Sequence, residues 1–244
     1  MRITRTPRTA PTTRRTLLRA SAATAAAGVL AAGSSPVGAA PRTRSVNAAR
    51  PATPAAALKE LAVANHRWRT LHQRHPHETA RVRSALVSGQ SPFALILGCI
   101  DSRVPPELVF DQGLGDLMTV RSAGEVLDEA VLGSIAYGVL ELGIPLVVVL
   151  GHQSCGAVAA AVHAEETGES LPAHIQYVAD QIRPAIVHGQ HGDARVDATV
   201  SAQVRLVRSR LARERDLAAK VAAGELAIVG ARYELSTQLV HRVG

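Results

Sequence analysis

The sequence predicts an α/β fold with a central, mainly parallel β-sheet flanked by helices. Three continuous apolar runs have the composition of buried parallel strands: residues 93–98 (FALILG), 145–150 (PLVVVL) and 225–230 (ELAIVG). The segments between these runs carry apolar residues at helical spacing and stop at Gly or Pro. Strands that alternate with helices are typical of a parallel sheet with helices on its faces.

The first half of the chain carries two predicted helices and two predicted strands. Residues 55–71 have apolar side chains at helical spacing. A second helix is predicted over residues 78–87, with Gly89 as its stop. The first buried strand covers residues 93–98, and residues 118–120 predict a short second strand.

The second half continues this alternation. Asp128 is a predicted N-cap for a helix over residues 128–142, which Gly143 ends ahead of Pro145. Residues 145–150 are the clearest strand of the chain. The remaining elements are predicted as helices over residues 154–166, 173–187 and 193–223 and a last strand over residues 225–230.

Residues 1–39 contain, in the expected order, the features of a twin-arginine export signal. They hold six Arg and no Asp or Glu, with Arg14 and Arg15 adjacent. An Ala-rich stretch over residues 20–32 is too short for an ordinary membrane span, and the small residues 37–39 suit a signal peptidase. We therefore predict a cleaved signal peptide and export through the twin-arginine pathway to an extracytoplasmic location (secreted, cell wall or periplasm). No stable membrane span is expected after the signal is removed.

The rest of the chain divides into a linker and one domain. Residues 40–54 are rich in Pro, Ala and Arg and predict a flexible linker, which leaves residues 55–244 as the catalytic domain. The signal segment carries six of the seven net positive charges, so the remainder has a net charge of only +1. A nucleic-acid partner requires a basic face on the folded domain, and this charge distribution gives no support for one.

The two cysteines of the chain lie in short segments that each follow a predicted strand. Cys99 follows the first buried strand, and His152 with Cys155 follows the third. The carboxyl ends of parallel strands share one edge of the sheet, where ligands bind, so we expect these side chains to converge. Two thiolates and an imidazole suit zinc, and three protein ligands leave a fourth position for water or for Asp101, as in catalytic sites. Two cysteines in an exported protein ordinarily suggest a disulfide, but these motifs favour reduced, zinc-bound thiolates.

Asp101 and Arg103 are the other polar residues beside Cys99. Asp101 can accept a hydrogen bond from zinc-bound water or hydroxide and orient it, or it can bind zinc directly as a fourth ligand. Arg103 can hold Asp101 off the metal through a charge-assisted bidentate pair, although the two could also form a plain surface ion pair. A separate, loose group of histidines in a predicted loop is interpreted as solvated: His72, His75 and His77.

Several segments resemble the β-class carbonic anhydrases, and the pattern is most similar to the actinobacterial members. The resemblance extends from about residue 58 to residue 240. It is carried by residues 89–92 (GQSP), 99–104 (CIDSRV), 113–116 (GLGD), 120–124 (VRSAG), 151–156 (GHQSCG) and 226–233 (LAIVGARY). Two positions depart from the family pattern: Ser122 stands where many members have Asn, and Ile96 where members with a regulatory bicarbonate site have Trp.

This resemblance implies a β-carbonic anhydrase-like fold whose N-terminal helices pack on a dimer partner, in a homodimer or a tetramer. It implies one zinc ion per subunit, with the ligands Cys99, His152 and Cys155. Asp101 and Arg103 are implied as the catalytic pair. Gln90 is implied as the substrate-binding glutamine, which reaches across the dimer interface.

The implied activity is the zinc-dependent, reversible hydration of CO2 to bicarbonate and a proton by attack of zinc-bound hydroxide. Three alternatives stay open from the sequence. The same site could hydrolyse carbonyl sulfide or a related heterocumulene, because these molecules are also linear. The chain could instead be a non-catalytic zinc protein with Asp101 as a permanent ligand, or a metal-free module with a disulfide.

Overall fold

The apolar runs form a five-stranded sheet in the computed structural model, which describes residues 50–244. Its strand order is β2-β1-β3-β4-β5, with parallel pairing throughout except for the antiparallel β4–β5 edge. The strands are β1 (Ala94–Gly98), β2 (Leu117–Arg121), β3 (Leu146–His152), β4 (Ala227–Tyr233) and β5 (Val240–Val243). The predicted α/β class with a mainly parallel sheet is confirmed.

Helices cover both faces of this sheet. They are α1 (Pro54–Arg69), α2 (Ala80–Leu86), α3 (Pro106–Val109), α4 (Glu129–Ala136), α5 (Gly156–Thr167), α6 (Ile175–Ile182), α7 (Gly192–Leu211) and α8 (Arg215–Ala222). Because side chains alternate along a strand, each buried strand supplies both layers of the core. Leu95 of β1 packs in one layer with Val204 of α7, whereas the adjacent Ile96 packs in the other with Leu61 of α1.

The sequence signals for helix α4 are confirmed in detail. The Asp128 carboxylate accepts a hydrogen bond from the Val131 N–H at 2.8 Å, which satisfies one free donor of the first turn. The helix continues as one π-helical turn over Tyr137–Glu141, and Gly143 follows with φ 66°, a conformation that favours glycine. Strand β3 then begins at Leu146.

The second half of the chain differs from the prediction in two places. The single helix predicted over residues 193–223 is two helices, because Glu214 leaves the helical conformation with ψ 123°. Leu211 and Leu217 would lie about 120° apart around one continuous helix, and the break allows both to enter the same core layer. The predicted last strand is followed by β5, which the sequence did not reveal because only its end residues, Val240 and Val243, are apolar.

The N-terminal part of the described chain is fixed to the domain. Thr53 caps α1, since its hydroxyl accepts a hydrogen bond from the Ala56 N–H at 3.2 Å. Arg50, at the end of the predicted linker, forms an ion pair with Asp116 at 3.3 Å. The predicted signal (1–39) and residues 40–49 lie outside the described residues. Within residues 50–244, none of the helices combines the length and apolar character that a membrane crossing requires.

Candidate metal centre

Two adjacent strands bring the predicted ligands to one edge of the sheet. β1 and β3 are parallel neighbours, with Gly98 paired to Leu150, so both end at the same rim. Cys99 directly follows β1, and Cys155 occupies the N-cap position of α5. His152 is the last residue of β3 itself, rather than a residue beyond the strand. The predicted convergence of the three side chains is confirmed.

The three side chains are close together and buried. The Sγ atoms of Cys99 and Cys155 are 3.9 Å apart, and each of the three residues offers one ligand atom within 4.8 Å of the others. Cys99 is 4%, His152 0% and Cys155 1% exposed. Both cysteines are free thiols, since a disulfide requires an S–S distance of about 2.05 Å. The geometry therefore matches a shared ligand set rather than a disulfide.

His152 directs an unpaired nitrogen toward the two sulfurs. Its Nδ1 lies 2.9 Å from the Gln153 carbonyl oxygen, which can only accept, so Nδ1 carries the proton in the neutral ring. The other nitrogen, Nε2, is buried and has no hydrogen-bond partner among the described residues. A buried nitrogen with a free lone pair is costly unless something binds it, and metal-ligating histidines are oriented by this kind of second hydrogen bond.

The pKa values of the two thiols are shifted in opposite directions. A hydrogen bond from the Cys155 thiol lowers the pKa of Cys99 to about 4, and a hydrogen bond from the Gly124 N–H acts in the same direction against burial. The same contact, together with burial, raises the pKa of Cys155. Cys99 is therefore the thiolate of the metal-free pair, and a divalent cation would favour ionisation of both. Two thiolates and a neutral imidazole are a zinc-type donor set with a fourth position left open.

Asp101 is held beside this centre by Arg103. Arg103 donates from Nε to Oδ1 at 2.9 Å and from Nη2 to Oδ2 at 2.7 Å, and its backbone N–H also donates to Oδ1 at 2.9 Å. These bonds lower the pKa of Asp101 to about 2. Asp101 Oδ2 lies 3.9 Å from His152 Nε2, so the carboxylate faces the centre without joining its three ligand atoms. The bidentate pair of Asp101 and Arg103 that the sequence predicts is therefore present.

Arg121 fixes the loop that carries Cys99 and Asp101. It is the last residue of β2, paired with Gly98 in register. Its Nε donates to the Cys99 carbonyl at 2.8 Å and its Nη2 to the Asp101 carbonyl at 2.7 Å. This role of Arg121 was not predicted from the sequence, although an arginine at the end of the strand next to β1 was a usable signal.

Gly124 and Glu125 form the floor behind Cys99. The Gly124 N–H donates to Cys99 Sγ at 3.4 Å. Gly124 has a φ of 61°, a left-handed conformation that favours glycine, and a Cβ at this position would also require Ile182 Cδ1, 2.7 Å away, to shift. Glu125 is 1% exposed, and burial followed by the charge of Cys99 raises its pKa well above the usual value. Its Oε1 has no hydrogen-bond partner among the described residues. Glu125 was not predicted as a site residue, although an acid within the apolar stretch that follows β2 was a usable signal.

The centre opens into a cleft of about 640 Å³ between the rim and helix α6. Its lining includes Cys99 and Asp101, and otherwise consists largely of small or aliphatic side chains such as Ala157, Leu171 and Val178. Gln90 is exposed and precedes β1, whereas Cys99 follows it, so Gln90 lies at the other end of the strand and is not part of this lining.

One histidine of the predicted solvated group has a specific contact. His77 Nδ1 lies 2.6 Å from Asp116 Oδ2, and its side chain is only 28% exposed. The interpretation of His77 as a solvated residue was therefore wrong. Asp116 also accepts a hydrogen bond from the Gly113 N–H at 3.0 Å, so this contact ties the loop before α2 to the turn before β2. His75 forms a looser contact, 3.6 Å from Glu78.

The fold and the centre together define a class of protein: an α/β enzyme-like domain with a Cys2His metal site at the carboxyl edge of a parallel sheet. The model of the carbonic anhydrase family matches residues 94–240. Carbonic anhydrase 2 of Mycobacterium tuberculosis is 44% identical over 184 residues, which cover 75% of this chain and 89% of that protein. The chain therefore belongs to the carbonic anhydrase family, in its β class.

Solved structures of β-carbonic anhydrases have the same fold. The Coccomyxa enzyme in complex with acetazolamide superposes with a TM-score of 0.59 at 26% identity, over 66% of this chain and 75% of that one. A tetrameric enzyme of the ascomycete Sordaria macrospora has a TM-score of 0.63 at 19% identity, over 75% of this chain and 94% of that one.

Proposed function

We propose that this chain is a zinc carbonic anhydrase that interconverts CO2 and water with bicarbonate and a proton. The observation that carries the proposal is the grouping of Cys99, His152 and Cys155 beside an apolar cleft, which Cys99 and an ionised Asp101 line. Membership of the carbonic anhydrase family and similarity to the mycobacterial enzyme support the same activity.

In this proposal the two thiolates and His152 Nε2 hold one zinc ion per subunit. When bound, zinc would supply a Lewis acid that lowers the pKa of water and so provides a nucleophile at neutral pH. Two anionic ligands weaken this effect relative to a site of three neutral histidines, because they nearly cancel the charge of the ion. The neighbouring side chains must therefore contribute to orienting the water.

Asp101 is suited to that orienting role. The low pKa keeps its carboxylate ionised at neutral pH, so it can only accept hydrogen bonds. Arg103 donates one hydrogen bond from its guanidinium to each carboxylate oxygen and so fixes the plane of the carboxylate. The remaining lone pairs can accept a hydrogen bond from a water in the cleft. A water that donates one hydrogen to Asp101 has its oxygen lone pairs directed away from the carboxylate, toward the space where CO2 would lie.

The cleft suits a small apolar substrate. CO2 has no net dipole, and the aliphatic lining near Ala157, Leu171 and Val178 would accept it without leaving polar groups unpaired. Bicarbonate is charged and well hydrated, so the same lining favours its release to solvent. The proton released in hydration leaves through the open side of the cleft to buffer.

Gln90 fits this proposal only in an oligomer. Since it lies at the opposite end of β1 from Cys99, it cannot reach the centre of its own chain. We infer a homodimer, or a tetramer built from dimers, in which the Gln90 of one subunit contacts the substrate of the other. Mixing Gln90→Ala with Cys155→Ser subunits tests this, because one of the two sites in a mixed dimer would regain both groups. No recovery of activity in the mixture would contradict the shared site.

We also propose that this chain is exported from the cytoplasm. The order of paired arginines, apolar stretch and small residues in 1–39 supports a twin-arginine signal that is removed before residues 40–54. A fusion of residues 1–54 to a folded reporter should be exported, and replacement of Arg14 and Arg15 by lysine should retain it in the cytoplasm. Equal export of both fusions would contradict this route.

Stopped-flow measurement of CO2 hydration by zinc-loaded protein tests the activity. The expected result is a rate far above that of the Cys155→Ser variant, which lacks one ligand. Turnover of carbonyl sulfide, measured in parallel, decides whether this related linear substrate is preferred. A zinc-loaded protein that hydrates CO2 no faster than the Cys155→Ser variant would refute the proposal.

A further inference from the structure

A second cavity lies on the other face of the sheet, away from the metal centre. It has a volume of about 420 Å³, is open to solvent on one side and is bordered by α1, β4 and β5. Its floor is Val148, Val229 and Ala231, while Leu58 and Ala62 of α1 form a wall. The volume falls within the range of small-molecule sites in proteins.

The cavity lies beside α1, which is held to the domain on both sides of it. Before the helix, Arg50 forms the ion pair with Asp116. The Asn65 amide donates to the carbonyls of Val109 and Gln238 at 3.1 and 3.0 Å, and its oxygen accepts the Val240 N–H at 2.9 Å. These bonds hold the second half of the helix on the sheet. Toward its first half, the small residues Ala55 and Ala62 do not fill the space above the strands.

The interior of this cavity offers nothing to a polar ligand. Asn65 is the polar residue of its interior, and the bonds above already use both amide hydrogens and the carbonyl oxygen. A polar group placed there would lose its hydrogen bonds to water without replacement. The part of a ligand that enters must therefore be aliphatic.

The rim of the cavity is cationic. Lys59 of α1 and Arg242 of β5 line it from two sides, and both are exposed. Among residues 50–244 neither forms an ion pair with an acidic side chain, and residues 1–49 contain no Asp or Glu that could supply one. His241 also lines the rim, 3.7 Å from Glu234, and that acid is itself bound by Arg232 at 2.9 Å. The rim thus carries two cations without a counter-charge from this chain.

We propose that this cavity binds a medium-chain fatty acid, with the alkyl chain between α1 and the sheet and the carboxylate between Lys59 and Arg242. An aliphatic interior with a cationic rim is complementary to an unbranched chain that ends in one anionic group. The site is separate from the metal centre and does not depend on the proposed activity.

Isothermal titration of the full chain with hexanoate, octanoate and decanoate, each below its micelle-forming concentration, tests the proposal. A separate titration with acetate measures binding at any site that takes a carboxylate alone. We expect one ligand per chain and about fourfold tighter binding per added methylene until the cavity is full. Octanol, which lacks the charge, should bind about three- to tenfold more weakly than octanoate.

Two kinds of variant locate the site. Ala62→Trp introduces a large side chain at an exposed helical position that lines the cavity, so it should abolish octanoate binding in a protein that still folds. The Lys59→Gln and Arg242→Gln double variant should weaken octanoate to the affinity of octanol. Arg83→Gln is the matched control. It removes one positive charge from an exposed position of α2 that does not line the cavity, so it should leave binding unchanged.

Three results would overturn the proposal. The first is an absence of saturable octanoate binding, and the second is binding that Ala62→Trp leaves intact. The third is a change of subunit number in Ala62→Trp, measured by sedimentation, because it would show that a second copy of the chain covers this cavity.

Discussion

Arg103 binds both carboxylate oxygens of Asp101 and leaves Oδ2 3.9 Å from His152 Nε2. This two-point contact sets both the charge of Asp101 and its distance from the ligand atoms. Without it, the carboxylate would be free to move toward a cation held by the cysteines. In the proposed zinc site, the open or closed state of the fourth metal position would thus depend on Arg103, whose side chain is half exposed.

Arg103→Lys should separate charge from geometry at this contact. Lysine retains the positive charge but cannot form the bidentate pair. We expect kcat/KM for CO2 hydration to fall roughly 10- to 100-fold, the usual effect of losing such a supporting contact, with zinc content unchanged. X-ray absorption should show an additional oxygen ligand from Asp101.

Arg183→Lys is the matched control for that change. Arg183 follows α6 and pairs with Asp180 on the exposed surface, where the same substitution keeps the charge and changes only the geometry of an exposed ion pair. It should alter activity less than twofold. Full activity in Arg103→Lys would show that charge alone is sufficient to position Asp101.

Asp111→Asn should destabilise the fold far from the metal centre. Burial raises the pKa of Asp111, but the Arg67 guanidinium at 2.5 Å and the backbone N–H groups of Arg74 and His75 outweigh it and lower the pKa overall. Removing the carboxylate leaves buried Arg67 with only the longer, 3.4 Å ion-pair contact to the partly exposed Glu60. We expect this to cost about 3 kcal/mol in the free energy of unfolding, the low end of the range for breaking a buried ion pair. Urea unfolding at pH 7 measures this loss.

The stability that Asp111→Asn loses should depend on pH and should be largest near neutral pH. A depressed folded pKa contributes stability that is present above the unfolded value of about 4 and is lost as the pH falls through the folded value. The difference between the unmodified chain and Asp111→Asn should therefore shrink below about pH 4. Asp216→Asn, in an exposed pair with Arg215, should stay within about 0.5 kcal/mol at any pH. A difference that is constant down to pH 2 would contradict the assignment.

Glu125→Gln should have the opposite pH dependence. Burial and the charge of Cys99 raise the pKa of Glu125 in the folded state. The protonated side chain therefore contributes its full share to the free energy of unfolding below the unfolded pKa of about 4.3, and this share is lost as the pH rises through the folded pKa. Glutamine does not titrate, so the variant should gain stability relative to the unmodified chain between pH 5 and pH 9. Thermal unfolding across that range measures the difference. Parallel curves for the two proteins would show that Glu125 is ionised in the folded state.

The sequence was sufficient to predict the elements that have strong local signals. The apolar runs became β1, β3 and β4, and the spacing of Cys99, His152 and Cys155 after two of these strands predicted their convergence. These predictions succeeded because strand ends in a parallel sheet meet at one edge, whatever the details of packing. Asp128 and Gly143 were equally visible, because capping depends on residues within one turn of the helix end.

Features that depend on distant contacts could not be predicted in the same way. The break between α7 and α8 follows from the need to bury both Leu211 and Leu217 in one layer. His77 is in a loop that looks solvated in sequence, and only the fold places Asp116 beside it. The burial of Glu125 likewise arises from α7 and β3 packing over it, which no local pattern encodes.

Removal of the metal should make the centre sensitive to oxidation. The Sγ atoms of Cys99 and Cys155 are 3.9 Å apart, and the low pKa of Cys99 makes it a thiolate at neutral pH. A thiolate beside a second thiol is the arrangement that oxidants convert to a disulfide. We expect chelator-treated protein to form a Cys99–Cys155 disulfide in mild oxidant, while zinc-loaded protein keeps both thiols, as measured by thiol titration and mass spectrometry. The disulfide form should not recover zinc or activity until it is reduced. If the metal-free protein instead retains two titratable thiols after the same treatment, metal binding is not what protects these cysteines from oxidation.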